Sequence, residues 1–290
     1  MRHHNIMNEL YYQYIFEVPE NCDKDIIISI LSDYDFEGFV ETDNGFLGYI
    51  RQEKDNTEWL KAIKDIDDKI VFGKEVIEPK NWNEEWERNY EVAVINEECE
   101  VYASFHQPNL SVRYPLFIEP KMSFGTGHHP TTYMMCNLLF EIKDKLQNKR
   151  VIDVGCGTGI LGILAKKLGA DEIVLIDNDI VCIENTFENI QRNISVSEQT
   201  RLCVKHANIE EYVKQHPDAQ FDVIIANIQR DVILNDMSVY KSILKPNGYL
   251  LVSGMLEKYE QEIVESAQPL QHLKTLHKNE WICLLFYHHS

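Results

Sequence analysis

The second half of the chain alternates strand-like apolar runs with amphipathic helical stretches, and this regularity constrains the fold more than any other feature. The alternation begins at Val151 and continues to Ala267. It predicts an α/β fold with a mostly parallel, doubly wound sheet. Two last apolar runs, 272–278 and 281–287, predict a closing antiparallel hairpin.

The N-terminal part has a different pattern. Strands are predicted at 11–18, 36–41 and 46–50, a helix at 23–32, and a turn at Asp43-Asn44-Gly45. Together these elements predict a small α+β unit.

A connecting helix is predicted after this unit. Trp59, Ile63, Ile66 and Ile70 recur at spacings of four, three and four, which places them on one helix face. We interpret 57–70 as a helix between two domains, although a crossover helix within the small unit fits the same pattern. The expected boundaries are 1–55 for the small domain, 56–80 for the linker and 81–290 for the large domain.

The charge of the chain limits its partners. The formal net charge is −19, from 47 acidic and 28 basic residues. The electrostatic field of this charge repels polyanions and attracts cations. It therefore disfavours nucleic acid as a partner and favours a basic protein, although solubility alone would select the same charge.

No apolar run reaches about 18 residues, so we expect a cytoplasmic monomer that does not use a membrane. Seven scattered cysteines without a CxxC pair predict neither disulfides nor a metal site.

The glycine-rich stretch Asp153-Val-Gly155-Cys-Gly157-Thr-Gly159 follows a buried strand and opens a helix. Glycines allow backbone to approach a nucleotide-like cofactor closely. The pattern also satisfies the GxGxxG fingerprint of dinucleotide sites. Asp153 would face the pyrophosphate of NAD unfavourably, but it suits the amino group of a methionine moiety, directly or through water. The loop therefore favours S-adenosylmethionine.

Two polar residues at strand ends complete the predicted site. Asp177 follows the second strand, 22 residues after Gly155, and suits both ribose hydroxyls of either cofactor. Asn227 follows the strand 221–226, where the carboxyl edge of a parallel sheet forms the ligand crevice. Its amide oxygen could accept a hydrogen bond from an amine and aim the nitrogen at a sulfonium methyl group. His128 and His129 are candidate proton acceptors, although packing or capping roles are commoner for adjacent histidines.

Five motifs together resemble the ribosomal protein L11 methyltransferases of the PrmA type. They are Phe124-Gly-Thr-Gly-His-His-Pro-Thr-Thr132, the glycine loop, Ile176-Asp-Asn-Asp179, Ala226-Asn-Ile228 and Ser253-Gly-Met-Leu256. The first is the most specific. The chain departs from the usual Asp-Pro-Gly-x-Ala before that motif, where it reads Glu119-Pro-Lys-Met-Ser123, and Gln229-Arg230 stand where small apolar residues are common.

The resemblance implies a Rossmann-like methyltransferase domain and a small, ferredoxin-like N-terminal domain that captures the substrate. It implies cofactor contacts for Thr132, Gly155, Asp177 and Asn227, with Phe124 and Gly125 over the cofactor. With the residues of the motifs, the cofactor-binding candidates are Phe124, Gly125, Thr131, Thr132, Asp153, Gly155, Gly157, Asp177, Asn227 and Ile228. Asn227 is also the catalytic candidate.

The resulting hypothesis is methyl transfer from S-adenosylmethionine to the N-terminal α-amine and lysine ε-amines of a large-subunit ribosomal protein. The alternatives are transfer to another protein or to a small-molecule amine, a nicotinamide-dependent oxidoreductase, and a cofactor-binding module without catalysis. The first two keep the cofactor site and change only the acceptor. The third would bind NAD in its place.

Overall fold

The computed structural model describes residues 10–19, 22, 24–67, 69–77, 87–109, 111–121 and 123–290. The chain divides into two compact units, Met1–Tyr90 and Glu91–Ser290. Across the described ranges, no helix has both the length and the apolarity to cross a bilayer.

The N-terminal unit is a four-stranded antiparallel sheet with two helices. Its elements are β1 (Tyr11–Glu17), α1 (Lys24–Ser32), β2 (Gly38–Thr42), β3 (Gly45–Arg51), α2 (Trp59–Lys64) and β4 (Val71–Ile77). The strand order is β2-β3-β1-β4, and every pairing is antiparallel. This β-α-β-β-α-β arrangement is the ferredoxin-like split βαβ motif.

The predicted linker helix is wrong in length and in place. Helix α2 ends at Lys64, and the chain then forms turns in which the amides of Ile66 and Asp67 both donate to the Ile63 carbonyl. Trp59 and Ile63 belong to the core of the N-terminal unit, so α2 is a crossover helix within that unit. The strand after it, β4, was not predicted, because its mostly exposed residues lack the alternation of a half-buried strand.

The C-terminal unit contains a seven-stranded sheet. Its strands are β8 (Arg150–Val154), β9 (Glu172–Asp177), β10 (Leu202–His206), β11 (Phe221–Asn227), β12 (Leu244–Leu256), β13 (Gln271–Lys278) and β14 (Trp281–Tyr287). The order is β10-β9-β8-β11-β12-β14-β13, with parallel pairing from β10 to β12 and an antiparallel β14. The predicted doubly wound sheet and its closing hairpin are confirmed.

Two apolar cores cover the two faces of this sheet. Side chains of alternate strand residues enter opposite cores, as Ile225 and Ile224 of β11 show. One core includes α3 (Pro130–Glu141), α4 (Ile160–Lys167) and α5 (Ile180–Asn193), and the other includes α7 (Ile209–Gln215), α8 (Arg230–Ile243) and α9 (Glu260–Ala267). The short helix α6 (Val196–Gln199) follows α5.

A small three-stranded sheet precedes α3. It consists of β5 (Ala93–Asn96), β6 (Cys99–Tyr102) and β7 (Tyr114–Phe117) in that order. Its apolar residues join the same core as α3. Residues 118–121 and 123–129 lie between β7 and α3, and Phe124 among them bonds to Thr158 in the loop after β8.

A buried carboxylate in the N-terminal unit makes its stability depend on pH. Asp55 accepts bonds from Tyr14 Oη (2.6 Å), Trp59 Nε1 (3.2 Å) and Lys74 Nζ (2.8 Å), and its side chain is 1% exposed. Burial opposes its ionisation, but these donors outweigh burial, so the pKa of Asp55 lies below its ordinary value. The stabilisation is therefore present above a pH of about 4 and is lost as the pH falls through the lowered pKa.

We predict that Asp55→Asn lowers the unfolding free energy of the N-terminal unit by about 2 kcal/mol at pH 7, because an amide that itself donates replaces a carboxylate that accepts from four donors, the three side chains and the Thr57 amide. The difference from the native protein should shrink at pH 3. Urea titration with pulsed hydrogen exchange of peptides from β1 and β4 measures it. The exposed Glu75→Gln on β4 is the control, and an equal loss at both pH values would contradict the ionic contribution.

Candidate functional site

The glycine loop lies between β8 and α4 and adopts a conformation that favours glycine at three positions. Gly155, Gly157 and Gly159 have φ angles of 66°, 55° and 79°, where L side chains are disfavoured. A Cβ at Gly155 would lie 2.2 Å from Ile228 Cγ2, and one at Gly157 would lie 2.3 Å from the Phe124 carbonyl oxygen. The loop is therefore packed against two other parts of the site.

Asp177 at the end of β9 is held in place by backbone donors. Its Oδ2 accepts from Gly157 N and its Oδ1 from Asp179 N, both at 2.9 Å. The residue is 8% exposed and lines a cavity at the carboxyl edge of the sheet. Each carboxylate oxygen can accept a second hydrogen bond, so Asp177 can bind hydroxyl groups without releasing the loop.

The segment before α3 is fastened to the glycine loop through Thr158. The Thr158 amide donates to Phe124 O (3.0 Å) and the Thr158 hydroxyl donates to Gly125 O (2.6 Å). Thr158 itself is fully buried. The Phe124 side chain is 51% exposed, and its ring centroid lies 4.9 Å from that of His129.

The two histidines have different environments. His129 caps α3: its Nδ1 accepts from the Thr131 amide at 3.3 Å, so the neutral ring carries its proton on Nε2. Burial lowers the pKa of His129 and keeps the ring neutral near pH 7. The exposed His128 has Nε2 2.8 Å from the Glu91 carbonyl and Nδ1 3.3 Å from Thr126 Oγ1.

Asn227 at the end of β11 is oriented by Thr132. Asn227 Nδ2 donates to Thr132 Oγ1 at 3.4 Å, and Thr132 is fully buried in the first turn of α3. This bond uses one of the two Nδ2 hydrogens, so the amide oxygen and the second N–H of Asn227 are left for a ligand. Pro130 occupies the first helical position, as its sequence position predicts.

A cavity of about 580 Å³ joins these groups. It lies where the strand order reverses between β8 and β11, the usual ligand crevice of a doubly wound sheet. Of the ten predicted binding residues, those in its wall are Phe124, Thr131, Gly155, Gly157, Asp177, Asn227 and Ile228. The other three, Gly125, Thr132 and Asp153, are not in the wall.

Asp153 is buried below the loop. It is 1% exposed, and its Oδ2 accepts from the Gly162 amide at 2.9 Å. Burial raises the pKa of Asp153 to about 7; the bond from Gly162 opposes this shift and the nearby Asp177 charge adds to it. A group with this pKa changes its charge near neutral pH, where a neighbouring cation would favour the carboxylate.

Several wall residues were not predicted from the sequence as ligand contacts. They are Val154, Asn178, Cys182, Ala207, Asn208, Ile209, Gln229, Val232, Asp236, Gly254 and Trp281, together with the side chain of His129. A signal existed for Asn208, since Asn208 and Glu211 form a capping box that marks a helix start after β10. No local pattern indicates Trp281, which reaches the cavity from the closing hairpin.

The fold and the site define a Rossmann-like domain that binds a nucleotide-type cofactor. The sequence model described as "Ribosomal protein L11 methyltransferase (PrmA)" matches residues 27–289. The chain belongs to this family.

Individual relatives agree with the assignment. The protein named ribosomal protein L11 methyltransferase from Bacteroides fragilis is 34% identical over 287 residues, which cover 95% of this chain and 99% of that protein. The one from Porphyromonas gingivalis is 35% identical over 290 residues, 95% and 97% of the two chains. A crystal structure of ribosomal protein L11 methylase from Lactobacillus delbrueckii subsp. bulgaricus has a TM-score of 0.59 at 23% identity, covering 69% of this chain and 100% of that one, and shows the shared fold.

Proposed function

We propose that this protein transfers methyl groups from S-adenosylmethionine to the N-terminal α-amine and lysine ε-amines of ribosomal protein L11. The observation that carries the proposal is that Asp177, Asn227 and the segment 124–131 meet in one cavity of a chain that belongs to the L11 methyltransferase family. Family membership favours methyl transfer over the hydride transfer that the glycine fingerprint alone leaves open.

The cavity fits a nucleoside with an amino-acid tail. Its volume of about 580 Å³ lies within the range of small-ligand sites. Asp177 supplies acceptors for two ribose hydroxyls, while Asn178 and the residues 207–209 line the same cavity and suit an adenine ring. Gly155 and Gly157 bring backbone to the cavity wall with no side chain between. When bound, the cofactor supplies a methyl group activated by a positively charged sulfur.

Asn227 positions the acceptor amine. The bond from Asn227 Nδ2 to Thr132 fixes the orientation of the amide, whose oxygen can accept an amine N–H and so orient the nitrogen lone pair. No strong acid is needed, since the leaving group is a neutral thioether. The contribution of Asn227 is therefore one of geometry.

Three aromatic rings suit the rest of the acceptor. The ring centroid of His129 lies 4.9 Å from that of Phe124 and 4.8 Å from that of Trp281, and all three rings line the cavity. Such faces accommodate the apolar stem of a lysine and attract an ammonium group, including one that already carries methyl groups. A neutral His129 adds no repulsion to this cation.

The amine reaches its reactive form without either histidine as base. His129 Nδ1 is occupied by the Thr131 amide, and both nitrogens of His128 contact groups outside the cavity. Desolvation beside a cation lowers the pKa of an amine. The proton then leaves to water, and an α-amine needs a smaller shift than a lysine because its ordinary pKa is lower.

The charge of the chain supports a basic substrate. A net charge of −19 attracts a cationic protein over a long range and orients it before contact. We assign capture of that protein to the N-terminal unit. Its ferredoxin-like sheet forms a separate compact unit that leaves the cofactor cavity entirely within the C-terminal one.

We predict that incubation with S-adenosylmethionine and unmethylated L11 adds increments of about 14 Da, the mass of one methylene, to the N-terminal and lysine-containing peptides. Peptide mass spectrometry reads both sites and multiplicity. Asn227→Ala is the control for contaminating activity. An unmodified L11, with methylation of another protein or of a small amine under the same conditions, would overturn the proposed substrate.

Substitutions of Asp177 and Asn227 should affect different quantities, the first the cofactor Kd and the second the rate of methyl transfer. We predict that Asp177→Ala weakens S-adenosylhomocysteine binding by ~1.5–3 kcal/mol, the loss of hydrogen bonds to a charged acceptor. Asn227→Ala should lower kcat about 100-fold through lost orientation while changing that Kd less than about threefold. Calorimetry and methyl-transfer kinetics measure the two quantities.

Asp179→Ala is the matched control for Asp177, because the Asp179 carboxylate accepts from Val181 N at 2.8 Å and lies outside the cavity wall. It should leave the Kd unchanged. An Asp177→Ala variant with native affinity would remove that residue from the site, and full turnover by Asn227→Ala would favour a binding module or another catalytic group.

Asp153 gives a pH-dependent test of the ammonium contact, which we assign through an intervening water. A ligand cation favours the carboxylate, so affinity should rise as the pH increases through about 7, and binding near pH 7 should release protons. Calorimetry in buffers of different ionisation enthalpy measures the release. Asp153→Asn keeps an oxygen for the Gly162 amide and should abolish it, whereas native binding without proton release would exclude the contact.

A further inference from the structure

Helix α5 buries polar residues on the face that an amphipathic helix normally fills with apolar ones. Asn185, Thr186 and Asn189 are at most 1% exposed, and Asn193, one turn further, is partly buried. Burying an amide is unfavourable unless its hydrogen bonds are made. The partners of these side chains therefore indicate what the helix holds.

Asn189 joins two parts of the site that are distant in sequence. Its Oδ1 accepts from the Glu119 amide at 3.0 Å, and its Nδ2 donates to the Thr158 carbonyl at 2.9 Å. The same Nδ2 lies 3.2 Å from Asn185 Oδ1, which fixes the rotation of the amide. One side chain thus connects the segment before α3 to the glycine loop.

Thr158 joins Asn189 to a second part of the chain before α3. Its carbonyl accepts from Asn189, while its amide and hydroxyl donate to the carbonyls of Phe124 and Gly125. Glu119 is therefore held to Thr158 through Asn189, while Phe124 and Gly125 are held to Thr158 directly. Phe124, and Gly157 beside Thr158, both line the cavity.

We infer that Asn189 is a positioning residue for the cofactor: it holds Glu119 against Thr158 of the glycine loop, which in turn holds Phe124 and Gly125, and so keeps the cavity in its binding shape. The inference rests on the proposed use of S-adenosylmethionine. Asn189 is not in the cavity wall, and it acts through Thr158 and Phe124.

Asn193 provides a matched comparison on the same helix. Its Oδ1 accepts from the Phe117 amide at 2.9 Å and its Nδ2 donates to the Phe117 carbonyl at 2.7 Å. It therefore fastens the start of the same stretch of chain with bonds of the same kind. Asn193 has no hydrogen bond to the glycine loop among those found in the described ranges.

The test compares Asn189→Leu with Asn193→Leu in the full chain. Both remove buried hydrogen bonds, and we expect both to lower the Tm by about 5 °C. Only Asn189→Leu should raise the Kd for S-adenosylhomocysteine, by at least tenfold in calorimetry, which corresponds to about 1.4 kcal/mol. The Asn193→Leu value should stay within twofold of the native one.

A Kd for Asn189→Leu within twofold of the native value would overturn the inference, and so would an equal rise in both variants, because the helix would then act only through stability. A native protein that fails to bind S-adenosylhomocysteine would instead refute the proposed function. The two failures are therefore distinguishable.

Thr158 tests the same anchorage if Asn189→Leu does not fold. Thr158→Val keeps the shape and the backbone contacts but removes the bond to Gly125 O, whereas Thr158→Ser keeps the hydroxyl. We expect Thr158→Val to raise the Kd at least fivefold and Thr158→Ser to stay near the native value. Equal affinities in these two variants would contradict the role of the anchored segment.

Discussion

The large parallel sheet must be covered on both faces, and the rest of the C-terminal unit depends on this requirement. Strands whose alternate side chains enter two cores need helices on both sides. The crossover connections that supply these helices bring the carboxyl ends of β8 to β11 to one edge. The loops at that edge lie where the two helical layers begin to separate, and the cavity forms between them.

Hydrogen bonds within the protein orient the polar side chains at the site. Asp177 and Thr158 each bond to main-chain groups of other segments, and Asn227 is held by the hydroxyl of Thr132. These bonds fix the site before a ligand binds, so less conformational entropy is lost on binding. The ring of Phe124 is less constrained, since it is half exposed.

Features that depend on local pattern could be predicted from the sequence, whereas those that depend on the meeting of distant segments could not. The strand and helix alternation indicated the doubly wound sheet, and strand-end polarity located Asp177 and Asn227 in the cavity wall. Trp281 and Asp236 could not be predicted as wall residues, because their position in the cavity wall depends on tertiary packing alone. The asparagines of α5 at four-residue spacing did give a signal, because polar residues recur on the helix face that also carries Ile183 and Ile190. Strand β4 was missed because its exposed residues lack the alternation that marks a buried strand.

Two kinds of contact fasten the chain before α3. Hydrogen bonds reach main-chain atoms of Phe117, Glu119, Phe124 and Gly125, and ion pairs join Glu119 to Arg192 and Lys121 to Glu188. Main-chain atoms are the same whatever side chain they carry. A substitution of Glu119 or Lys121 would therefore remove an ion pair with α5 but leave the main-chain hydrogen bonds in place. Ion pairs at the surface contribute at most about 1 kcal/mol, so this stretch keeps most of its attachment when those two side chains change.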